Sequence, residues 1–143
     1  GVVRLALGTI DLQVDLGLDG EDDALLWFRS LTVLTSRLAD LPAPIDGVCT
    51  SIDDVEAIGA HARRARRMGF GAVLCIHPKQ VPVVNEAFHP SAEQIEWARR
   101  VVAAVDQGNG SALAVDGKMV DRPVLLRAHA LLDAARKNER PAT

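Results

Sequence analysis

The sequence predicts an α/β fold built on a parallel sheet, and three observations carry that expectation. Short apolar runs at 2–7, 45–49 and 72–76 have the length and composition of strands buried on both faces. Each connection between them is long enough to hold the crossover helix that parallel neighbours require. Those connections carry apolar residues at helical spacing, so right-handed βα crossovers follow.

The first run, 2–7, is interrupted only by Arg4 and ends in Gly8-Thr9-Ile10-Asp11. An acidic stretch at 19–23 predicts a helix start, because carboxylates sit well at the positive end of a helix dipole. That helix is expected to reach about Asp40, with Trp27, Leu31, Leu34 and Leu38 as its apolar stripe, and Pro42 and Pro44 stop it. The second strand, 45–49, contains Asp46. Asp53 is the expected cap of a second helix, whose inner face carries Val55, Ile58, Ala62 and Ala65 and whose outer face carries Arg63, Arg64, Arg66 and Arg67. Gly69 closes it. The third strand, 72–76, ends in His77-Pro78, and a short helix over 80–88 follows.

The pattern changes near Pro90. Ser91-Ala92-Glu93-Gln94 is a capping box, and its helix presents Ile95, Ala98, Val102 and Val105. A turn at 108–111 leads into a hairpin, 112–115 and 118–120, joined by Asp116-Gly117. A last helix begins near Asp121-Arg122-Pro123 and carries Leu125, Ala128, Leu132 and Ala135; the polar tail from Asn138 is expected to fray.

Composition narrows the function classes. The 143 residues are 48% hydrophobic and 24% charged, with a formal net charge of −3. This is a globular composition with no basic field for nucleic acid. The uncharged stretch from Met68 to His77 is too short to cross a bilayer. Cys49 and Cys75 lack metal-ligand or CxxC spacing; they read as buried small hydrophobes in a reduced, cytoplasmic setting. The chain begins on Gly1 inside an apolar run, as a trimmed protein or a piece of a longer one would. Three parallel strands cannot close a barrel and leave two open edges, so further strands are expected from a missing N-terminal part or another chain.

Candidate chemistry sits where parallel α/β folds keep it, at the C-terminal ends of strands. Asp11 is there, as a ligand for a hard cation such as Mg²⁺ or as a turn cap. Asp15 lies four residues on, as its partner or as a solvated loop residue. Asp46, in a buried strand, must be paired; a structural bond competes with a site role. His77-Pro78 competes between a structural role and acid–base work. The arginines at 63–67 read as a solvated face, with phosphate contact as the minority reading. Asp121 followed by an early proline reads as a helix N-cap. No GxGxxG, P-loop or nucleophilic triad is present.

Several segments together resemble one family. Leu7-Gly8-Thr9-Ile10-Asp11-Leu12, followed by Asp15-Leu16-Gly17, is similar to the G-x-x-D-[LFY]-x-x-D-[LIM]-G segment of the citrate lyase β-subunit-like proteins, which include malyl-CoA and citramalyl-CoA lyases. Pro44-Ile45-Asp46-Gly47-Val48 resembles their PIDGV strand, and Gly69-Phe70 with Ile76-His77-Pro78-Lys79-Gln80 resembles GF…IHPxQ. Asn85 to Ser91 resembles N…F.PS, and Asp116 to Pro123 resembles GxMIDxP. The order and gaps match over almost the whole chain, although Ala72-Val73 replaces the usual G-K.

The resemblance implies the C-terminal half of a TIM (β/α)₈ barrel with a helical C-terminal extension. Residues 1–90 would be the last three βα units, and 91–143 a helix-hairpin-helix lid able to pack on a neighbouring subunit. It implies Asp11 as a Mg²⁺ ligand, sharing the ion with a Glu from a preceding strand that lies before this sequence. It implies Asp46, His77 and Pro78 as cofactor-binding residues, and Asp121 as the catalytic group that handles a proton at the α-carbon of a CoA thioester. The implied activity is a Mg²⁺-dependent carbon–carbon lyase of aldol or Claisen type. Its substrate would be a hydroxyacyl-CoA such as malyl-, citramalyl- or citryl-CoA, and it would be complete only with the N-terminal half, as a homo-oligomer (trimer or hexamer). The alternative is a non-catalytic remnant that binds CoA esters or serves assembly.

Overall fold

The computed structural model describes residues 1–19, 23–107 and 113–138. In chain order the elements are α1 (Thr9–Leu16), α2 (Asp23–Leu38), β1 (Ile45–Asp46), α3 (Val55–Met68), β2 (Ala72–Val73), α4 (Gln80–Phe88), α5 (Ala92–Gln107), β3 (Leu113–Val115), β4 (Lys118–Val120) and α6 (Arg122–Asn138). They fall into two compact units, Gly1–Phe88 and His89–Thr143. The expected acidic helix start at 20–22, the turn at 108–111, Ala112 and the tail over 139–143 lie outside the described residues.

In the first unit the three apolar runs lie parallel, as expected, but shorter. β1 pairs with β2 through Ile45↔Ala72 and Asp46↔Val73. The first run joins β1 only by a parallel bridge at Ala6, where Leu7 N–H donates to Ile45 C=O and Ile45 N–H to Leu5 C=O, each at 2.9 Å. Val2 and Val3 are exposed rather than buried on both faces. Burial of a strand needs covering layers on both sides, and the described residues of this unit do not supply them at that end.

α3 is the central packing element. Ile58, Ala62 and Ala65 are at most 1% exposed and meet Phe70, Val73 and Val84 in one cluster. The two alanines let the backbone approach closely, and burying Ile58 contributes roughly 1.5–3 kcal/mol. Asp54, one residue past the expected cap, accepts from Ala57 N–H at 3.0 Å. Gly69 at φ 98° ends the helix, with Phe70 N–H donating to Ala65 C=O and Gly69 N–H to Arg66 C=O, each at 3.1 Å.

Two local expectations are overturned. The segment after the first run is the helix α1, not an open strand-end turn; Gly17, at φ 63°, closes it by the same double bond pattern. The stripe Trp27, Leu31, Leu34 and Leu38 on α2 is exposed, at 42–79%, whereas Leu25, Arg29 and Ser36 face inward. The carboxylate of Asp46 decides this. It is fully buried and needs a cation, so the α2 face bearing Arg29 turns inward. Cys49 packs half-buried against the α3 core, whereas Cys75 is exposed, because Leu74, Cys75 and Ile76 run beyond the paired residues of β2.

In the second unit α5, the β3–β4 hairpin and α6 share a core of Ala98, Val101 and Ala128, with Val102 half-buried against it as expected and Val101 fully inside as well. The capping box forms reciprocally: Gln94 N–H donates to Ser91 Oγ at 3.2 Å and Ser91 N–H to Gln94 Oε1 at 3.1 Å. Asp116 (φ 55°) and Gly117 (φ 74°) both adopt positive φ, as the mirror-image hairpin turn requires. Arg100 donates to Asp116 at 2.8 Å, a bond that holds the guanidinium pKa above its usual value. Among the described residues no helix is long and apolar enough to cross a membrane.

Candidate active site

Parallel register fixes where the candidate residues stand. With Ala6, β1 and β2 side by side, the segments after Leu7, Asp46 and Val73 leave the same edge of the sheet. That edge carries Asp11 on α1, the loop Gly47–Ser51, and the loop Leu74–Lys79.

Asp11 and Asp15 are one helical turn apart on α1, both exposed, and border one open hollow with Leu7, Gly8, Leu12 and Val14. A Cβ on Gly8 would come within 3.1 Å of Asp11 Oδ2, so the glycine leaves room around that oxygen. Among the described residues no group of three His, Cys, Asp or Glu side chains gathers as a metal cage. One or two carboxylates with remaining positions left to substrate and water is how Mg²⁺ is commonly held, and Asp11 with Asp15 fits that donor set.

Asp46 is enclosed. Its two oxygens each accept from Arg29 Nε at 3.1 Å, and Oδ1 accepts from Gly47 N–H at 2.9 Å. The carboxylate therefore has the structural bond its burial demanded, to the first residue of the following loop, and through Arg29 it also braces β1 against α2. Gly47 is required for close approach, since a Cβ there would fall under 3.0 Å from Thr9 Oγ1, Cγ2 and Cβ.

His77 is half-buried, and its Nδ1 accepts from Lys79 N–H at 3.2 Å. In the neutral ring that leaves the hydrogen on Nε2 as a donor. Pro78 is exposed beside it. Gln80, quoted in the IHPxQ segment but given no role by the sequence, is 1% exposed and hydrogen-bonded to both strand-end loops.

A cleft of about 420 Å³ lies between α1, α2, α3 and the loop after β1, with Thr9, Gln13, Arg29, Ser51, His61 and Arg64 in its wall. His61 Nε2 bonds Gly47 C=O at 2.9 Å while Arg64 donates to Nδ1 at 3.0 Å. A carbonyl only accepts and a guanidinium only donates, which fixes the Nε2–H tautomer. The arginine cluster is thus not one solvated face. Arg64 is half-buried, Arg66 reaches Ala87 C=O and has its pKa lowered by burial, and Arg63 pairs with Glu56.

Asp121, in the second unit, caps α6: Oδ1 accepts from Val124 N–H at 3.1 Å. The residue is exposed, and Oδ2 has no hydrogen-bond partner among the described residues. A capping role and a free carboxylate oxygen coexist here.

No protein-family model matches the chain. The citrate lyase subunit beta-like protein of Mycobacterium tuberculosis is 44% identical over 104 residues, 73% of this chain and 38% of that protein. The mitochondrial citramalyl-CoA lyase of Mus musculus is 32% identical over 137 residues, covering 92% of this chain and 40% of the enzyme. Among solved structures, the CitE protein of M. tuberculosis in complex with magnesium, acetoacetate and coenzyme A matches with a TM-score of 0.83 at 38% identity, over 94% of this chain and 52% of that one. The chain thus spans less than half the length of these two sequence relatives. Its α/β fold matches that of the citrate lyase β subunit. Motif order, fold and similarity agree: the chain belongs to the citrate lyase β-subunit-like family and corresponds to the C-terminal portion of its members.

Proposed function

We propose that the chain is the C-terminal half of a (β/α)₈ barrel and carries part of the active site of a Mg²⁺-dependent carbon–carbon lyase acting on a hydroxyacyl-CoA thioester. The observation that supports this most is Asp11, placed on the edge where the strands end, with Asp15 a turn away and space kept around its oxygen by Gly8. The similarity to a structure bound to magnesium, acetoacetate and coenzyme A supports the metal and the substrate class.

In this reading Asp11, with Asp15 behind it, holds Mg²⁺, and a Glu from the complementing N-terminal half completes the protein's share. The ion supplies Lewis-acid polarisation and a template for the oxygens of a 2-oxo or hydroxy acid. His77, through its Nε2–H, and Pro78 bind the thioester. Asp46 acts from behind, fixing β1 through Arg29. In the cleavage direction the substrate hydroxyl gives its proton to solvent, the C–C bond breaks, a carbonyl product leaves, the electron pair remains on the α-carbon as a thioester enolate, and Asp121 takes up from solvent the proton it will deliver. Asp121 then returns a proton to that carbon; in synthesis it removes one. Residues 91–143 form the lid that brings Asp121 to a neighbouring subunit's strand ends, in a homo-oligomeric (trimer or hexamer), cytoplasmic enzyme.

Calorimetric titration of Mg²⁺ into the assembled barrel and its Asp11→Ala variant tests the metal assignment. Heat of binding should be present in the parent and lost in the variant. Equal affinity in the two would reduce Asp11 to a helix residue and favour the non-catalytic, CoA-ester-binding alternative.

A further inference from the structure

We propose that Gln80 is a positioning residue for the thioester-binding edge, acting through a four-point amide clamp between the loops after β1 and β2. The proposal rests on the lyase reading above for what the edge binds, and on geometry for the clamp itself.

A glutamine amide offers two acceptor sites on its oxygen and two donors on its nitrogen. All four are used. Oε1 accepts from Ile76 N–H at 2.8 Å and from His77 N–H at 3.3 Å. Nε2 donates to Cys49 C=O at 2.9 Å and to Ser51 C=O at 2.7 Å. The group cannot be flipped, because the two N–H partners need an oxygen and the two carbonyls need an NH₂. It is 1% exposed, so water does not compete for these bonds.

The need for the clamp follows from the strands. β1 and β2 pair over two residues each, with a last bond from Leu74 N–H to Asp46 C=O at 3.0 Å. Beyond that point the ladder stops, yet the loops continue along the same edge with backbone groups to satisfy. Gln80, in the first turn of α4, takes the place of the missing rungs. It fixes the peptide of His77 directly, and Lys79 N–H then orients the His77 ring. The neighbouring Lys79–Asp53 ion pair spans the same two segments, but both side chains are well exposed and such pairs contribute little. The amide is therefore what sets the spacing of His77 and Pro78 from the Cys49–Ser51 loop.

The test compares Gln80→Glu and Gln80→Met with the parent in the assembled barrel. Gln80→Glu keeps an acceptor for the Ile76 and His77 amides but turns oxygen toward the two carbonyls. Gln80→Met keeps the volume and drops all four bonds. Folded variants of either kind are expected to raise KM for the hydroxyacyl-CoA about tenfold or more while kcat stays within about threefold, the pattern of lost uniform binding. Amide exchange at Ile76 and His77 is expected to accelerate about tenfold in Gln80→Met, as local opening becomes easier, and to stay near the parent value in Gln80→Glu. Unchanged KM in a folded variant, or a fall in kcat alone, overturns the positioning role. Unchanged exchange in Gln80→Met overturns the clamp. If Gln80→Met does not fold, the KM of Gln80→Glu decides. A parent without turnover removes the lyase reading and the positioning role with it, and the exchange measurement tells that failure apart from failure of the clamp.

Discussion

Arg29→Met isolates the electrostatic decision that orients α2. Asp46 is 0% exposed, and Arg29, at 3%, is the cation on its two oxygens. Methionine keeps much of the arginine stem's volume and apolar contact, so the main loss is the counter-charge. Breaking a buried pair by removing one partner costs about 3–5 kcal/mol, because the remaining charge is stranded away from water. In a unit of this size each kcal/mol moves the melting point by about 4–8 °C, so a drop of at least 12 °C or so is expected. Adding Asp46→Asn removes the stranded charge yet leaves an acceptor for Gly47 N–H. In the Arg29→Met background it should therefore restore about 2 kcal/mol, whereas in the parent it should destabilise. Urea unfolding of the four proteins, followed by far-UV circular dichroism, gives the cycle. Additivity within about 0.5 kcal/mol would mean that the pair is not coupled and that something else turns α2 inward.

Three further outcomes are expected. Gly47→Ala forces a Cβ against the rigid part of Thr9 and should destabilise by about 1–3 kcal/mol, partly relieved by Thr9→Ala; a neutral Gly47→Ala would show that α1 shifts freely. The Cys75 thiol has its pKa pushed up by partial desolvation, so less thiolate is present at a given pH, and its alkylation should reach half-maximal rate at a higher pH than free cysteine does; an equal or lower midpoint contradicts this. Asp121→Asn caps nearly as well as aspartate but cannot exchange a proton, so the assembled enzyme should keep its melting temperature within a few degrees and lose about 100-fold or more in turnover; retained turnover leaves Asp121 a cap alone.

What the sequence made legible divides along physical lines. Signals read from backbone chemistry held: the capping box at Ser91 and Gln94, the Asp116-Gly117 turn, the Gly69 stop and α4 over Gln80–Phe88. These features depend on a few adjacent residues. The inward face of α2 was not legible, because apolar spacing ranks Trp27, Leu31, Leu34 and Leu38 first and a buried arginine enters only once its carboxylate partner is known. Nor was α1: its helix follows an apolar run without an oxygen-bearing cap, and Gly8 makes no side-chain bond there. At the site, Asp11 could be placed from its position after a strand. Gln80 could not, since its partners lie up to 31 residues away and are backbone atoms that no side-chain pattern announces.

The most direct measurement is cleavage of a hydroxyacyl-CoA by the assembled barrel, with and without Mg²⁺, in the parent and in Asp11→Asn. Asparagine keeps the shape of the side chain but gives up the charge that holds a hard cation. Expected is turnover that stops on chelation, returns on adding Mg²⁺, and falls about 100-fold or more in Asp11→Asn with partial recovery at high Mg²⁺. Turnover that is indifferent to chelation, or equal in Asp11→Asn and the parent, would contradict a Mg²⁺ site at Asp11.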